Sequence, residues 1–263
     1  LTINFHDANN KQSYTTRAAD KDWQALITKL LPNKEISHAA DIGCGGGIYS
    51  KALSEMGIPK ITGVDFSEAM LEGAKANCHD CEMINFKLGN AYNTGLRSDS
   101  YDLLLERALI HHLDDLPTCF SEAFRILNQS GTIIIQDRTP ADCVLKGTDN
   151  HIRGYIFSIF PHLADLEVKR RYSSETVKEE LNSAGFNSIH ELKFWEIRKI
   201  YTSKNELLTD LRTRNGRSIL HELSDNELEQ LIGYIDSVLN CTGQIIEKDR
   251  WTIWVATKNR GRK

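Results

Sequence analysis

Asp41-Ile42-Gly43-Cys44-Gly45-Gly46-Gly47 is the segment that most constrains how this chain can fold. It joins a short, largely apolar run, Ser37-His38-Ala39-Ala40 continuing through Asp41-Ile42, to a segment of helical character, Ile48-Tyr49-Ser50-Lys51-Ala52-Leu53. Glycine at a strand-to-helix junction permits positive φ and, having no Cβ, lets a ligand lie against the main chain. The helix that follows offers unpaired N–H groups in its first turn. A flat, polar ligand is expected across this loop.

The spacing of the glycines narrows the ligand. A dinucleotide fingerprint, G-x-G-x-x-G after a strand, would need glycine at position 48, where the chain has Ile48. The pattern that fits is G-x-G-x-G through Gly43, Gly45 and Gly47, with Asp41 two residues ahead. A carboxylate there repels a pyrophosphate and attracts an ammonium or sulfonium group. The loop resembles motif I of the class I S-adenosylmethionine-dependent methyltransferases. That resemblance makes Asp41, Gly43, Cys44, Gly45 and Gly47 expected cofactor-binding residues and S-adenosyl-L-methionine the expected cofactor.

Bulk properties agree with a globular chain. The 263 residues are 40% hydrophobic and 26% charged, and the length suits one α/β domain with insertions. A formal net charge of −4 gives no electrostatic footprint for duplex nucleic acid. The basic residues at 258–263 read as a solvated tail. No apolar run is long enough to span a bilayer, and the first residues lack the basic start and apolar core of a signal peptide, so no membrane partner is expected. Six scattered cysteines are too sparse for a disulfide framework, and a reducing cytoplasm is the expected compartment. Cys78-His79-Asp80-Cys81 is a single C-x-x-C without a second pair, which reads as a helix end rather than a zinc site.

Along the chain, apolar residues recur at helical spacing through Trp23, Leu26, Ile27, Leu30 and Leu31, with Pro32 as the stop. Strands are expected at 61–65, 82–88, 101–106 and 132–137. Ser67 is expected to cap one intervening helix, and another spans about 115–127. Strands alternating with helices imply a parallel sheet with right-handed crossovers, and ligands on such sheets bind beyond the carboxyl ends of the strands. Beyond residue 139 the pattern is less regular. An aromatic cluster of Tyr155, Phe157 and Phe160 is followed by a helix from about 173, a strand at 188–197, helices at 205–214 and 225–239, and a closing strand at 251–256. The expected fold is a Rossmann-like, doubly wound, seven-stranded, mostly parallel sheet with a helical cap. It forms a single domain over 1–263: a lid and helix at 1–31, a cofactor-binding core at 36–138, and cap insertions at 139–172 and 200–245.

The resemblance extends over about residues 14–138 and assigns further roles. Asp65, at the end of the second strand, is placed to accept from both ribose hydroxyls. Phe66 offers its ring to the adenine or to the core. Gly89-Asn90-Ala91 stands where the family usually has Gly-Asp-Ala, so Asn90 would accept the adenine amino group through a neutral amide, with Ala91 beside it. Glu106-Arg107-Ala108-Leu109-Ile110-His111-His112-Leu113 resembles a segment of the ubiquinone/menaquinone C-methyltransferases, in which the backbone faces the methionine part of the cofactor. Arg107 would hold an acidic substrate or the cofactor carboxylate. His111 or His112 could take a proton from the acceptor, and His111 is the better catalytic candidate. Tyr14-Thr15-Thr16-Arg17 is similar to a Y-x-x-R element that closes over the cofactor in related enzymes, with Tyr14 shielding the sulfonium and Arg17 binding the methionine carboxylate. Arg170, Arg171, Arg212, Arg214 and Arg217 are candidates for an anionic substrate, although arginines in such stretches are mostly solvated.

The expected activity is methyl transfer from S-adenosyl-L-methionine to oxygen, nitrogen or carbon of a small molecule. The alternatives are an inactive cofactor-binding sensor or scaffold, an RNA or protein methyltransferase, and a nucleotide-dependent oxidoreductase. No N-P-P-Y-type motif follows the fourth strand, and Ile48 with Asp41 argues against a dinucleotide. The sequence leaves the acceptor atom, the substrate and the oligomeric state open.

Overall fold

The computed structural model describes residues 19–31, 35–241 and 243–259. These residues form two compact units. The larger takes the described residues up to Asp137, then Tyr172–Leu192 and the chain from Thr252 onward; the smaller takes Arg138–Arg171 and Lys193–Trp251.

One sheet of seven strands has the order β3-β2-β1-β4-β5-β7-β6. Strands β1 (Ala39–Ile42), β2 (Ile61–Asp65), β3 (Ile84–Leu88), β4 (Tyr101–Arg107) and β5 (Leu127–Asp137) pair in parallel. β7 (Ile245–Thr257) pairs with β5 in the antiparallel sense, and β6 (Asn187–Tyr201) lies beyond it. Every residue of β1 and β2 is buried, as expected of parallel strands covered on both faces. The strand order reverses between β1 and β4, which puts the ligand-binding crevice beyond their carboxyl ends.

Helices of the larger unit are α1 (Lys21–Leu30), α2 (Ile48–Glu55), α3 (Glu68–Asn77), α4 (Leu116–Ile126) and α8 (Ser174–Ser183). The side chains of Asp20, Ser67, Asp115 and Ser173 accept from first-turn N–H groups of α1, α3, α4 and α8, a capping interaction worth about 1 kcal/mol each. Trp23 and Ile27 bury the inner face of α1, and Trp23 Nε1 donates to Gln136 Oε1 in β5 at 2.7 Å. Leu116, Cys119, Phe120, Ala123 and Ile126 of α4 join Val177 and Leu181 of α8 in the core, where Trp254 Nε1 donates to Ser174 Oγ at 2.8 Å.

A second core holds the smaller unit together. It gathers α6 (Arg153–Ile159), α7 (Pro161–Lys169), α9 (Lys204–Thr213) and α10 (Asp225–Val238) around Ile156, Leu163, Leu211, Leu231 and Ile235. A short α5 (Pro140–Cys143) opens the unit with a capping box between Thr139 and Asp142. Residues 139–171, irregular by sequence, are thus mainly helical. β5 begins at Leu127, ahead of the expected 132, passing Ser130 at φ +64°. β6 and β7 are both longer than their patterns suggest, and each runs through both units. The expected stop at Pro32 lies outside the described residues.

Candidate active site

The glycine loop leaves β1 with Gly43, Gly45 and Gly47 at φ +73°, +50° and +77°. Gly43 N and Cys44 N both donate to Val64 O, at 2.8 and 3.0 Å, tying the loop to the end of β2. A Cβ at Gly43 would sit 2.8 Å from Leu109 Cδ1, and one at Gly47 would sit 3.1 Å from atoms of Ala74, Cys78 and Phe86. At Gly45 it would meet nothing within 4 Å, so this glycine faces open space. The carboxyl end of α3 holds the loop from behind: Asn77 Nδ2 donates to Gly46 O at 3.0 Å, and the Cys78 thiol donates to Gly47 O at 3.5 Å. That contact is the structural use of the C-x-x-C segment. Among the described residues no group of three or more His, Cys, Asp or Glu side chains is arranged to hold a metal ion.

Asp65 is the organising side chain of this edge. Its Oδ2 accepts from Gly45 N and its Oδ1 from Ser67 N, both at 2.9 Å, so one carboxylate links the glycine loop to the start of α3. Burial raises its pKa, against the opposing effect of backbone donors at Ser67, Gly45 and Phe66. Asp41 is also buried and accepts from Ser50 Oγ at 2.7 Å. Burial pushes its carboxyl up to about 6; the Ser50 bond opposes this, the Asp65 charge adds to it, and the Arg107 charge opposes it. Phe66, next along the chain, is 54% exposed.

Asn90 is exposed beyond β3, and Ala91 is buried beside it. The Asn90 amide oxygen accepts from Tyr92 N and Asn93 N, both at 2.9 Å, in a local turn. In β4, Glu106 is buried with its carboxyl against the Cys119 thiol of α4, at 3.7 and 3.8 Å. Burial pushes Glu106 up to about 8, so it carries its proton at neutral pH. The Arg107 guanidinium lies 4.0 Å over the Tyr49 ring of α2. Ala108 then turns the chain at φ +52°, with its N–H on Gln136 O at 2.8 Å, into a 3₁₀ turn at Ile110–His112.

That turn delivers His111 to Asp137, the last residue of β5. His111 Nδ1 lies 2.8 Å from Asp137 Oδ2 and 3.1 Å from Oδ1, and its backbone N–H donates to Oδ2 at 3.3 Å. The carboxylate accepts, so Nδ1 carries the hydrogen and Nε2 is left as the basic nitrogen. The His112 ring packs on that of His111 with centroids 3.9 Å apart. Asp137 is the residue that sequence reasoning missed; its signal was an acid closing a buried strand at the ligand edge. Tyr14 and Arg17 lie outside the described residues. The glycine loop, Asp41, Asp65, Arg107 and His111 all belong to the carboxyl edge of the parallel strands.

Comparison with known proteins places this architecture. A family profile described as a methyltransferase domain matches residues 40–135. The chain is 31% identical over 130 residues to YcgJ, an uncharacterized methyltransferase of Bacillus subtilis, covering 48% of this chain and 51% of that one. It is 26% identical over 190 residues to a demethylmenaquinone methyltransferase of Staphylococcus saprophyticus, covering 66% of this chain and 80% of that one. The chain spans about half the length of the first two curated relatives that it matches. Among solved structures, it resembles phosphoethanolamine N-methyltransferase 2 of Haemonchus contortus, bound to phosphomonomethylethanolamine and S-adenosylhomocysteine, with a TM-score of 0.61 and 19% identity over 98% of this chain and 61% of that one. At that identity the likeness is one of fold.

Proposed function

We propose that this protein, whose residues 40–135 match a methyltransferase-domain profile, transfers a methyl group from S-adenosyl-L-methionine to oxygen, nitrogen or carbon of a small-molecule acceptor. The observation that carries the reading is the Asp65 carboxylate bonded to Gly45 N in a loop of three left-handed glycines, one of which faces open space. A cofactor with vicinal ribose hydroxyls and a cationic end fits this cradle: Asp65 takes the ribose, and Asp41 faces the positive charge. Gly43, Cys44 and Gly47 give the loop its close approach. Phe66, Asn90 and Ala91 border the adenine, and because the Asn90 oxygen is engaged in its own turn, its contact with the adenine is a weak one. The backbone at Glu106 and Arg107 borders the methionine part, with Arg107, Arg17 and Tyr14 contributing to carboxylate binding and closure.

The cofactor supplies an electrophilic methyl on sulfonium, so the chain's own task is to align the acceptor, exclude water and remove a proton. Alignment alone is worth several kcal/mol, of order 7 or more in the best intramolecular cases. His111 takes the acceptor's proton at Nε2, and Asp137 holds the ring and stabilises the imidazolium. Residues 139–172 and 200–245 choose the acceptor. The quinone substrate implied by the staphylococcal relative's name and the phosphorylated amine bound by the nematode enzyme mark out the range of acceptors to screen.

Calorimetric titration tests the reading. S-adenosylmethionine and its demethylated product should bind at micromolar level while NAD stays inert, and Asp65→Ala should weaken both by at least tenfold. Binding of NAD alone would remove the assignment, and an unchanged affinity in Asp65→Ala would remove that residue from the site.

A further inference from the structure

The smaller unit encloses a cavity of about 80 Å3 walled mainly by arginine. A single water needs only about 10–15 Å3 of such volume, so there is space for a small polyatomic group. Guanidiniums reach it from Arg138 ahead of α5, Arg153 in α6, Arg171 past α7, Arg198 in β6 and Arg217 ahead of Ser218, with Glu247 and Asp249 from β7. Burying one charge without compensation costs several kcal/mol, and an arrangement of this kind needs a reason.

The two ends of the wall differ. At one end each guanidinium is well supplied with acceptors. Glu247 Oε2 accepts from Arg198 Nη1 at 3.0 Å and from Arg217 Nη2 at 2.7 Å; Asp210 Oδ2 accepts from Arg217 Nη1 at 2.6 Å. Burial opposes the Arg217 charge, but Glu247, Tyr201 and Asp210 more than offset it and raise its pKa. This end is a structural ion-pair network.

At the other end the acids are shared. Glu167 pairs with Arg153 at 2.8 Å, with Arg171 at 3.1 Å and also with Arg170, while Asp249 accepts from Arg138 at 2.8 Å. Burial lowers the Arg138 pKa, and the charges of Arg153 and Arg171 lower it further against the opposing pull of Asp249. Arg153 Nε is buried with no hydrogen-bond partner among the described residues. Like charges crowded around one space repel one another, and an anion placed between them turns that repulsion into attraction.

We propose that this cavity is a binding site for a phosphate-sized oxyanion, gripped by the Arg138, Arg153 and Arg171 guanidiniums. Three forks entering from separate chain segments match in number the three peripheral oxygens of a phosphoryl group rather than the two oxygens of a carboxylate. Trp251 lies under the Arg138 guanidinium at 4.0 Å and fixes its plane. The site belongs to the smaller unit alone, so its occupancy is measured separately from S-adenosylmethionine binding.

The test is calorimetric titration of the whole chain with inorganic phosphate at constant ionic strength, with chloride as the control. The wild type should show saturable binding to one site. Arg153→Gln should weaken it at least tenfold and Arg153→Lys by less, while Arg212→Gln, an exposed arginine paired with Glu229, should leave it unchanged. Absence of saturable binding in the wild type overturns the site, and so does undiminished binding in Arg153→Gln. If Arg153→Gln does not fold, the readout becomes the phosphate-dependent rise in the wild-type thermal midpoint, which Arg153→Lys should reduce; no rise overturns the site. S-adenosylmethionine affinity should be the same in all the folded variants, and its absence in the wild type would count against methyl transfer, not against the anion site. A phosphate monoester that binds at least tenfold more tightly than inorganic phosphate assigns the cavity to the headgroup of an organic ligand; equal or weaker binding by a panel of monoesters assigns it to free phosphate.

Discussion

Three carboxyl groups at the edge of the parallel strands, on Asp137, Asp65 and Glu106, are set to different tasks by their partners. Asp137 meets a histidine, Asp65 meets backbone N–H groups, and Glu106 meets a thiol in the core. If His111 is the base, His111→Ala should lower turnover about a hundredfold or more while cofactor affinity holds. Asp137→Asn should lower turnover by at least tenfold and move the acid limb of the pH–rate profile to lower pH, because an amide stabilises the imidazolium less than a carboxylate does. An unmoved limb would make Asp137 a packing residue. Glu106 gives a prediction about stability. Its pKa is raised from 4.5 to about 8 in the folded chain. Between those values the unfolded chain has released the proton that the folded chain keeps, so stability falls as pH rises, by at most about 1.4 kcal/mol per pH unit. Glu106→Gln mimics the protonated form, so urea denaturation from pH 5 to 8 should show a flatter pH dependence than the wild type; an equal slope would mean the carboxyl ionises freely.

At the scale of elements, the strand–loop–helix unit was legible because its chemistry is local. Glycines with positive φ, an acid two residues before them and a serine cap after the next strand leave their mark at fixed positions. Gly47 shows how tight the fit is, since it combines φ +77° with three neighbours at 3.1 Å from where a Cβ would stand. Gly47→Ala should cost about 2 kcal/mol in urea denaturation, from left-handed strain and overpacking together. A loss below about 0.5 kcal/mol would show that α3 and β3 yield easily. The second half was harder to read, and β7 shows why. The closing strand is expected only from Trp251, because Ile245-Ile246-Glu247-Lys248-Asp249-Arg250 is rich in charge, yet burial alternates along it, with Glu247 and Asp249 on the inside. Hydrophobicity signals a strand only when the inward face is apolar, and here that face meets arginines. Arg217 shows the same effect: a residue type that is usually solvated is buried here by Glu247, thirty residues along the chain. In residues 153–169, helices of seven and nine residues meeting at Phe160-Pro161 break the apolar period before it can be recognised.

For the molecule as a whole, two separate cores mean that stability has two sources. Glu247→Gln leaves Arg198 and Arg217 sharing a neutral amide in a buried setting, and breaking such a pair costs about 3–5 kcal/mol. Hydrogen exchange should then show protection lost mainly in Arg138–Arg171 and Lys193–Trp251, and uniform loss across the chain would show that the units unfold together. The order in which the chain visits the units has another consequence. It leaves the larger unit after Asp137, returns at Tyr172, leaves again after Leu192 and returns at Thr252. Among the described residues the smaller unit is therefore a two-piece cassette with four junctions, and the residues around the glycine loop are encoded apart from it. Descent with modification can rewrite such a cassette while the half that carries the glycine loop stays as it is. A chimaera that exchanges both pieces at those junctions tests whether, under the proposed function, the cassette chooses the acceptor.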